Sequence, residues 1–173
     1  GDITLFKEIH QHEKFFDYVS SHFEHTFWIP GNHEYYNSDI SNRSGSFEEK
    51  IRDNVTLLNN TVKTINGVRL VFSTLWSHIS LAKQTIIEQS LSDFRVIRKN
   101  EKRLTAEAYN QLHLESRLFL EQALQTKTNN PTIVVSHHPP TFVNYPEKYA
   151  ASEINEAFGT ELSSQIENTS IDY

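Results

Sequence analysis

Three short stretches of this sequence put side chains that could bind a metal or move a proton onto tight turns. In Gly31-Asn32-His33-Glu34 an amide, an imidazole and a carboxylate follow a Pro30-Gly31 break. In Ser136-His137-His138-Pro139 two imidazoles stand before a proline pair, and Gly1-Asp2 offers a further carboxylate. Oxygen and nitrogen donors in this mixture suit Mn²⁺, Fe²⁺ or Zn²⁺ better than a soft, thiolate-selected metal. The chain has no cysteine, which excludes both thiolate sites and disulfides. Taken singly, each stretch has a plainer reading: Asn-His is ordinary turn chemistry, and Gly-Asp is a common turn pair.

The elements that must position these turns show in the apolar pattern. From Leu5 to His25, Phe6, Ile9, Phe15, Phe16, Val19 and Phe23 recur at roughly helical spacing and predict an amphipathic helix. Thr26 to Ile29 then reads as a short buried strand ended by Pro30 and Gly31. A helix leading into a buried strand is half of a βαβ unit, so a first strand is expected before Gly1. The polar stretch 37–50 reads as loop with a first helical turn at most, and Val55 to Leu58 as a strand. Asn66-Gly67, between two strand-like runs, predicts a hairpin on a type I′ turn. Residues 79–90 read as helix and 91–103 as an irregular basic stretch. A long helix is predicted from Thr105 to Gln125, with Tyr109, Leu112, Ser116, Phe119 and Ala123 on its apolar face. Thr132 to Val135 reads as a second buried strand, 152–168 as helix, and 170–173 as the start of another strand. In open α/β sheets ligands bind beyond the carboxyl ends of the strands, so all three loaded turns are expected to meet at one rim.

The remaining candidates carry plainer expectations. His10, His12, His22 and His25 read as a solvated helix face. Trp76 and His78 could reach the rim or form a packing edge. Arg95 and Arg98 could clamp a phosphate, with surface pairing the safer reading. Tyr35 and Tyr36 could wall a pocket or simply pack.

"GD", then "PGNHE", then "SHHPP" after a late strand, in that order, resembles the calcineurin-like metallophosphoesterase family. That family builds its site from five blocks: DxH, GD, GNH followed by Asp or Glu, Gly or Ser followed by HxP, and GHxH. This chain contains the middle three. The resemblance implies an α/β fold, a four-layer α/β/β/α sandwich with two mixed sheets, of which residues 1–173 form one domain incomplete at both ends. It implies metal-dependent hydrolysis of a phosphate ester at a dinuclear centre of two divalent ions, with a metal-bridging hydroxide as nucleophile. Residue by residue, Asp2 matches the carboxylate that bridges the two metals, Asn32 the amide ligand, and His137 an imidazole ligand. His138 falls at the variable position. His33 matches the catalytic histidine beside the scissile phosphate, and Glu34 stands where a residue would hold the turn. Two departures follow. Leu5 stands where protein phosphatases of the family carry the Asp that orients the catalytic His, which argues against that activity and leaves the partner of His33 open. The outer blocks are absent, so this stretch alone is expected to be inactive, with a buried sheet edge left unpaired. The alternative from another class is a non-catalytic phosphoesterase-like scaffold that binds a protein partner.

Composition limits the rest. A net charge of −6 argues against a nucleic-acid partner, which usually meets a basic stripe, but not against a small phosphorylated substrate. No apolar run reaches membrane-spanning length. No signal peptide is visible, and a cytoplasmic location is expected.

Overall fold

The computed structural model describes residues 1–169 and 171; the strand start expected at 170–173 otherwise lies outside them. The architecture is α/β, with two three-stranded mixed sheets packed face to face and helices outside them. Helix α1 (Glu13–His22) precedes β1 (Thr26–Trp28), which pairs parallel with β3 (Val55–Asn59). On the other side of β3, β2 (Phe47–Arg52) runs antiparallel, giving the order β1-β3-β2. The second sheet has the order β4-β5-β8, from β4 (Thr61–Ile65), β5 (Val68–Ser73) and β8 (Thr132–Ser136), while β6 (Arg98–Lys99) and β7 (Lys102–Arg103) form a separate antiparallel pair. In the second sheet the β4–β5 pair is antiparallel and the β5–β8 pair parallel. Strand β1 stands at a sheet edge, and among the described residues nothing pairs on its other side.

Alternation along each strand builds three apolar layers, because successive side chains point to opposite faces. Ile29, Leu58 and Phe72, with Phe27, Leu70 and Val135, fill the space between the sheets. Phe27 and Phe72 meet there with ring centroids 5.1 Å apart. Outside the first sheet, Trp28, Val55 and Leu57 pack with Phe16 of α1 and with Phe6, Tyr35 and Trp76. Outside the second, Val71 and Val134 meet Leu120 and Ala123 of α4 (Ala106–Gln125). The long helix is capped by Thr105, whose Oγ1 accepts from the Ala108 N–H. Its buried residues are Ala106, Tyr109, Leu112, His113, Ser116, Leu120 and Ala123, with Phe119 only half-buried. The Asn66-Gly67 hairpin also forms, with positive φ at both residues (49° and 79°) and Ile65 opposite Val68.

Four local expectations are corrected. The helix expected over 5–25 is a 3-10 segment, Phe6–His12, followed by α1; i, i+3 eclipsing suits Phe6 and Ile9, which both face the core. The expected loop 37–50 instead runs into β2 from Phe47, where Glu49, half-buried, takes a two-pronged pair from Arg43 at 2.9 and 3.1 Å. The helix expected over 79–90 starts only with α2 (Gln84–Ser90). The Asn110 side chain holds both backbone groups of Ile79, and Glu156 holds the Ser80 N–H, so the chain stays extended there. The expected helix over 152–168 is reduced to a 3-10 turn, Asn155–Ala157, and α5 (Ser163–Glu167). Between them, backbone bonds from Thr160 and Leu162 to the carbonyls of Pro139 and Pro140 pin the chain to the turn after β8.

Candidate metal centre

The three loaded turns meet beyond the carboxyl ends of β1 and β8. Thr74, just past β5, ties two of them together: its hydroxyl donates to Pro30 O at 2.8 Å and its carbonyl accepts from the His138 N–H at 3.1 Å. Its own N–H donates to Asn59 Oδ1 at the end of β3. The rim is thus fixed by Thr74 and Asn59 before any candidate metal ligand is considered.

Glu34 is fully buried and closes the first turn upon the start of the chain. Its carboxylate accepts from the N–H groups of Asp2, Ile3 and Gly31 at 2.6–2.7 Å and from Trp28 Nε1 at 3.2 Å. That holds Asp2, in left-handed conformation at φ 62°, against Asn32 and His33. Asp2 Oδ1 accepts from the His33 N–H at 3.1 Å and lies 3.6 Å from His137 Nε2. His137 Nε2 in turn lies 3.3 Å from Asn32 Oδ1. Gly31 permits this crowding. A Cβ there would fall 2.1 Å from Asp2 Oδ1 and 2.6 Å from His137 Nε2.

Asp2, Asn32 and His137, three residues singled out in the sequence, therefore converge. Two donors bound about 2.1 Å from one tetrahedral ion stand about 3.4 Å apart, and the observed 3.3 and 3.6 Å bracket that spacing. The donor set fits one divalent ion. Among the described residues no group of three or more His, Cys, Asp or Glu side chains is gathered for a metal, since the third donor is an amide. Burial lowers the pKa of His137, leaving the neutral imidazole that a metal requires.

His33 stands exposed at the rim, its ring 4.5 Å from that of Tyr36. His138 turns inward instead: it packs on Trp76, and its Nδ1 lies 3.3 Å from Thr74 O. Burial pushes its pKa down to about 3, with the neighbouring His137 adding to the effect. Opposite these residues an open cleft of about 540 Å³ is walled by Tyr145, Tyr149, Ile154 and Phe158. Trp76 and Tyr35 are core residues, Arg95 bonds Gln89 O and Ser92, and the histidines of the first helix are exposed.

Two contributors escaped the sequence reading. Asp93 opens the four-residue helix α3 (Asp93–Val96) and is 5% exposed, yet it reaches Asn32 Nδ2 at 2.9 Å and Tyr36 OH at 2.6 Å. Burial, then the bond to Asp93, raises the pKa of Tyr36, so its hydroxyl stays protonated and donates. An acid opening a short helix reads from sequence as an end-of-helix charge, so nothing marked Asp93. Thr74 could have been found, since a polar residue directly after an apolar strand follows the same pattern as the other loaded turns.

A family model described as calcineurin-like phosphoesterase matches residues 1–169. An uncharacterised protein of Acanthamoeba polyphaga mimivirus is 33% identical over 169 residues, covering 87% of this chain and 60% of that protein. A crystal structure of a phosphopantetheinyl hydrolase from Mycobacterium tuberculosis matches at 16% identity with a TM-score of 0.56. It covers 86% of this chain and 60% of the other, a likeness of fold alone. The chain spans about 60% of the length of these relatives.

Proposed function

The chain belongs to the calcineurin-like phosphoesterase family, and from that premise we propose that it forms the central part of a metal-dependent phosphoester hydrolase. The observation that carries this reading is the meeting of Asp2, Asn32 and His137 at 3.3–3.6 Å beside an exposed His33. A carboxylate oxygen, an amide oxygen and an imidazole nitrogen are the donors for a divalent ion, with Mn²⁺, Fe²⁺ and Zn²⁺ the candidates. When bound, such ions supply Lewis acidity toward phosphoryl oxygens and lower the pKa of water. The described residues furnish donors for one ion, and the second ion of a dinuclear centre needs ligands beyond them.

The chain's own residues do the rest. His33, fixed through its N–H on Asp2 and through its ring on Tyr36, faces the cleft where it donates a proton to the leaving oxygen. Gly31 and the Glu34 clamp keep Asp2 and His137 within reach of each other. The cleft, about 540 Å³, is of a size for a small phosphorylated molecule, and its aromatic wall seats the organic part of the ester.

The test is hydrolysis of bis-p-nitrophenyl phosphate by the full-length protein with Mn²⁺. Asn32→Ala, which removes a metal ligand, is expected to lower the rate strongly, and His33→Ala to lower it about 100-fold or more, the usual worth of a positioned proton donor. Undiminished activity in both variants overturns the assignment. No hydrolysis by the full-length wild type would favour the scaffold reading.

A further inference from the structure

We propose that Asp93 is the positioning residue of this site: one buried carboxylate that sets which end of the Asn32 amide faces the cleft and, through Tyr36, where the His33 ring sits. The inference rests on the reading of Asn32 as a metal ligand. An asparagine side chain is nearly symmetric in shape, and only its hydrogen bonds decide whether oxygen or nitrogen points a given way. A carboxylate only accepts, so Asp93 Oδ2 takes Asn32 Nδ2 at 2.9 Å. That leaves Asn32 Oδ1 turned toward His137 Nε2, 3.3 Å away. Reversing the amide would set two oxygens against each other at Asp93 and present N–H groups to the cation.

The second carboxylate oxygen is committed as well. Asp93 Oδ1 accepts from Tyr36 OH at 2.6 Å, a length typical of a charge-assisted bond. The His33 ring makes no hydrogen bond among the described residues and lies instead on the Tyr36 ring, centroids 4.5 Å apart and planes inclined by 34°. Holding the phenol end therefore holds the surface His33 rests on. Asp93 is no ordinary end-of-helix charge: its side-chain bonds go to residues 61 and 57 positions earlier. Partners that orient metal ligands typically change metal affinity 10–100-fold when removed.

The experiment is Mn²⁺ titration of the metal-free full-length protein by calorimetry, with folding of each variant followed by circular dichroism. Asn32→Ala and Asp93→Ala are each expected to weaken Mn²⁺ tenfold or more. The double variant should be no weaker than Asn32→Ala alone, because Asp93 acts on the metal only through that amide. Asp93→Asn keeps the size of the side chain but allows the Asn32 amide to reverse, so it should weaken Mn²⁺ nearly as much as Asp93→Ala. This variant carries the test if Asp93→Ala fails to fold. Tyr36→Phe keeps the Asn32 bond; Mn²⁺ affinity should stay within twofold while kcat falls several-fold at little change in KM. Losses that multiply in the double variant would overturn the inference, as would wild-type affinity in both Asp93 variants. Unchanged kcat in Tyr36→Phe would remove the His33 half. Wild-type affinity in Asn32→Ala would instead overturn the metal reading beneath it.

Discussion

Glu34 offers the sharpest test of how the fold holds its site, because four donors converge on one side chain with no exposed surface. Oε2 takes the N–H groups of Asp2 and Gly31, and Oε1 those of Ile3 and the Trp28 indole. Hydrogen bonds to a charged group are each worth roughly 1.5–3 kcal/mol net, and a buried donor left without an acceptor costs about 1–3 kcal/mol. Glu34→Gln keeps one oxygen and two of the four bonds, but turns an NH₂ group upon the other two donors. Two lost bonds, partly relieved by relaxation, come to about 3 kcal/mol. Glu34→Ala removes all four. The N–H groups of Asp2 and Ile3 are near enough to solvent to be rehydrated, whereas Gly31 N–H and the Trp28 indole are not. With the cavity added, the expected cost is about 4–6 kcal/mol, a large part of the roughly 5–15 kcal/mol that holds a domain folded. Urea unfolding followed by the fluorescence of the buried Trp28 and Trp76 reads both values by linear extrapolation. A Glu34→Gln protein within about 0.5 kcal/mol of wild type, at unchanged slope, would refute the reasoning, since no sum of lost bonds here is that small.

Two further outcomes follow from single contacts. Gly31→Ala would push a methyl to 2.1 Å from Asp2 Oδ1 and 2.5 Å from the His137 ring, so Mn²⁺ affinity should fall tenfold or more by calorimetry, and wild-type affinity would contradict the packing described. His113 Nδ1 faces the carbonyl of Trp76, which can only accept, and burial holds the histidine's pKa below its ordinary value. The unfolded chain therefore takes up a proton near pH 6.5 that the folded one refuses. The stability tied to His113 is complete above that pH and lost as pH falls below it. His113→Asn keeps a donor near the Nδ1 position without titrating. Its urea midpoint should thus fall less between pH 7.5 and pH 5 than that of wild type, and equal falls would disprove the assignment.

What the sequence disclosed is what local chemistry decides. Asn66-Gly67 marks its hairpin because few residue pairs accept two consecutive positive φ angles. The long helix reads directly from the period of its apolar residues. Asp2, Asn32, His33 and His137 were visible because each follows a turn that breaks an apolar run or opens the chain. Asp93 was not, because its role lies wholly in partners some sixty positions away, and its neighbours explain it well enough without them. The tail failed for a related reason. Glu161 accepts from Thr141, the Phe142 N–H and Ser163, so residues 159–163 take their shape from the turn after β8 and not from their own propensity. Strand β2 was obscured by a charge run whose inward Glu49 is balanced by Arg43 from the preceding turn.

The link between fold and site is register. In the β5–β8 ladder Ser73 stands opposite Ser136, so the two strands end together, and the next residues are Thr74 and His137. That alignment is chosen by alternation: Val71 and Val134 face Leu120 and Ala123, while Phe72 and Val135 face the other sheet. A slip of one residue would carry His137 about 3.3 Å along the strand and turn its side chain to the opposite face. Donor atoms for one ion tolerate misplacement of only about 0.5 Å. The pairing of His137 with Asn32 across the rim therefore depends less on either side chain than on four apolar residues on the two faces of the second sheet. Thr74 then needs only to join that sheet's end to Pro30 at the end of the first. The same apolar alternation that gives the sandwich its stability thus sets the 3.3 Å contact at its rim.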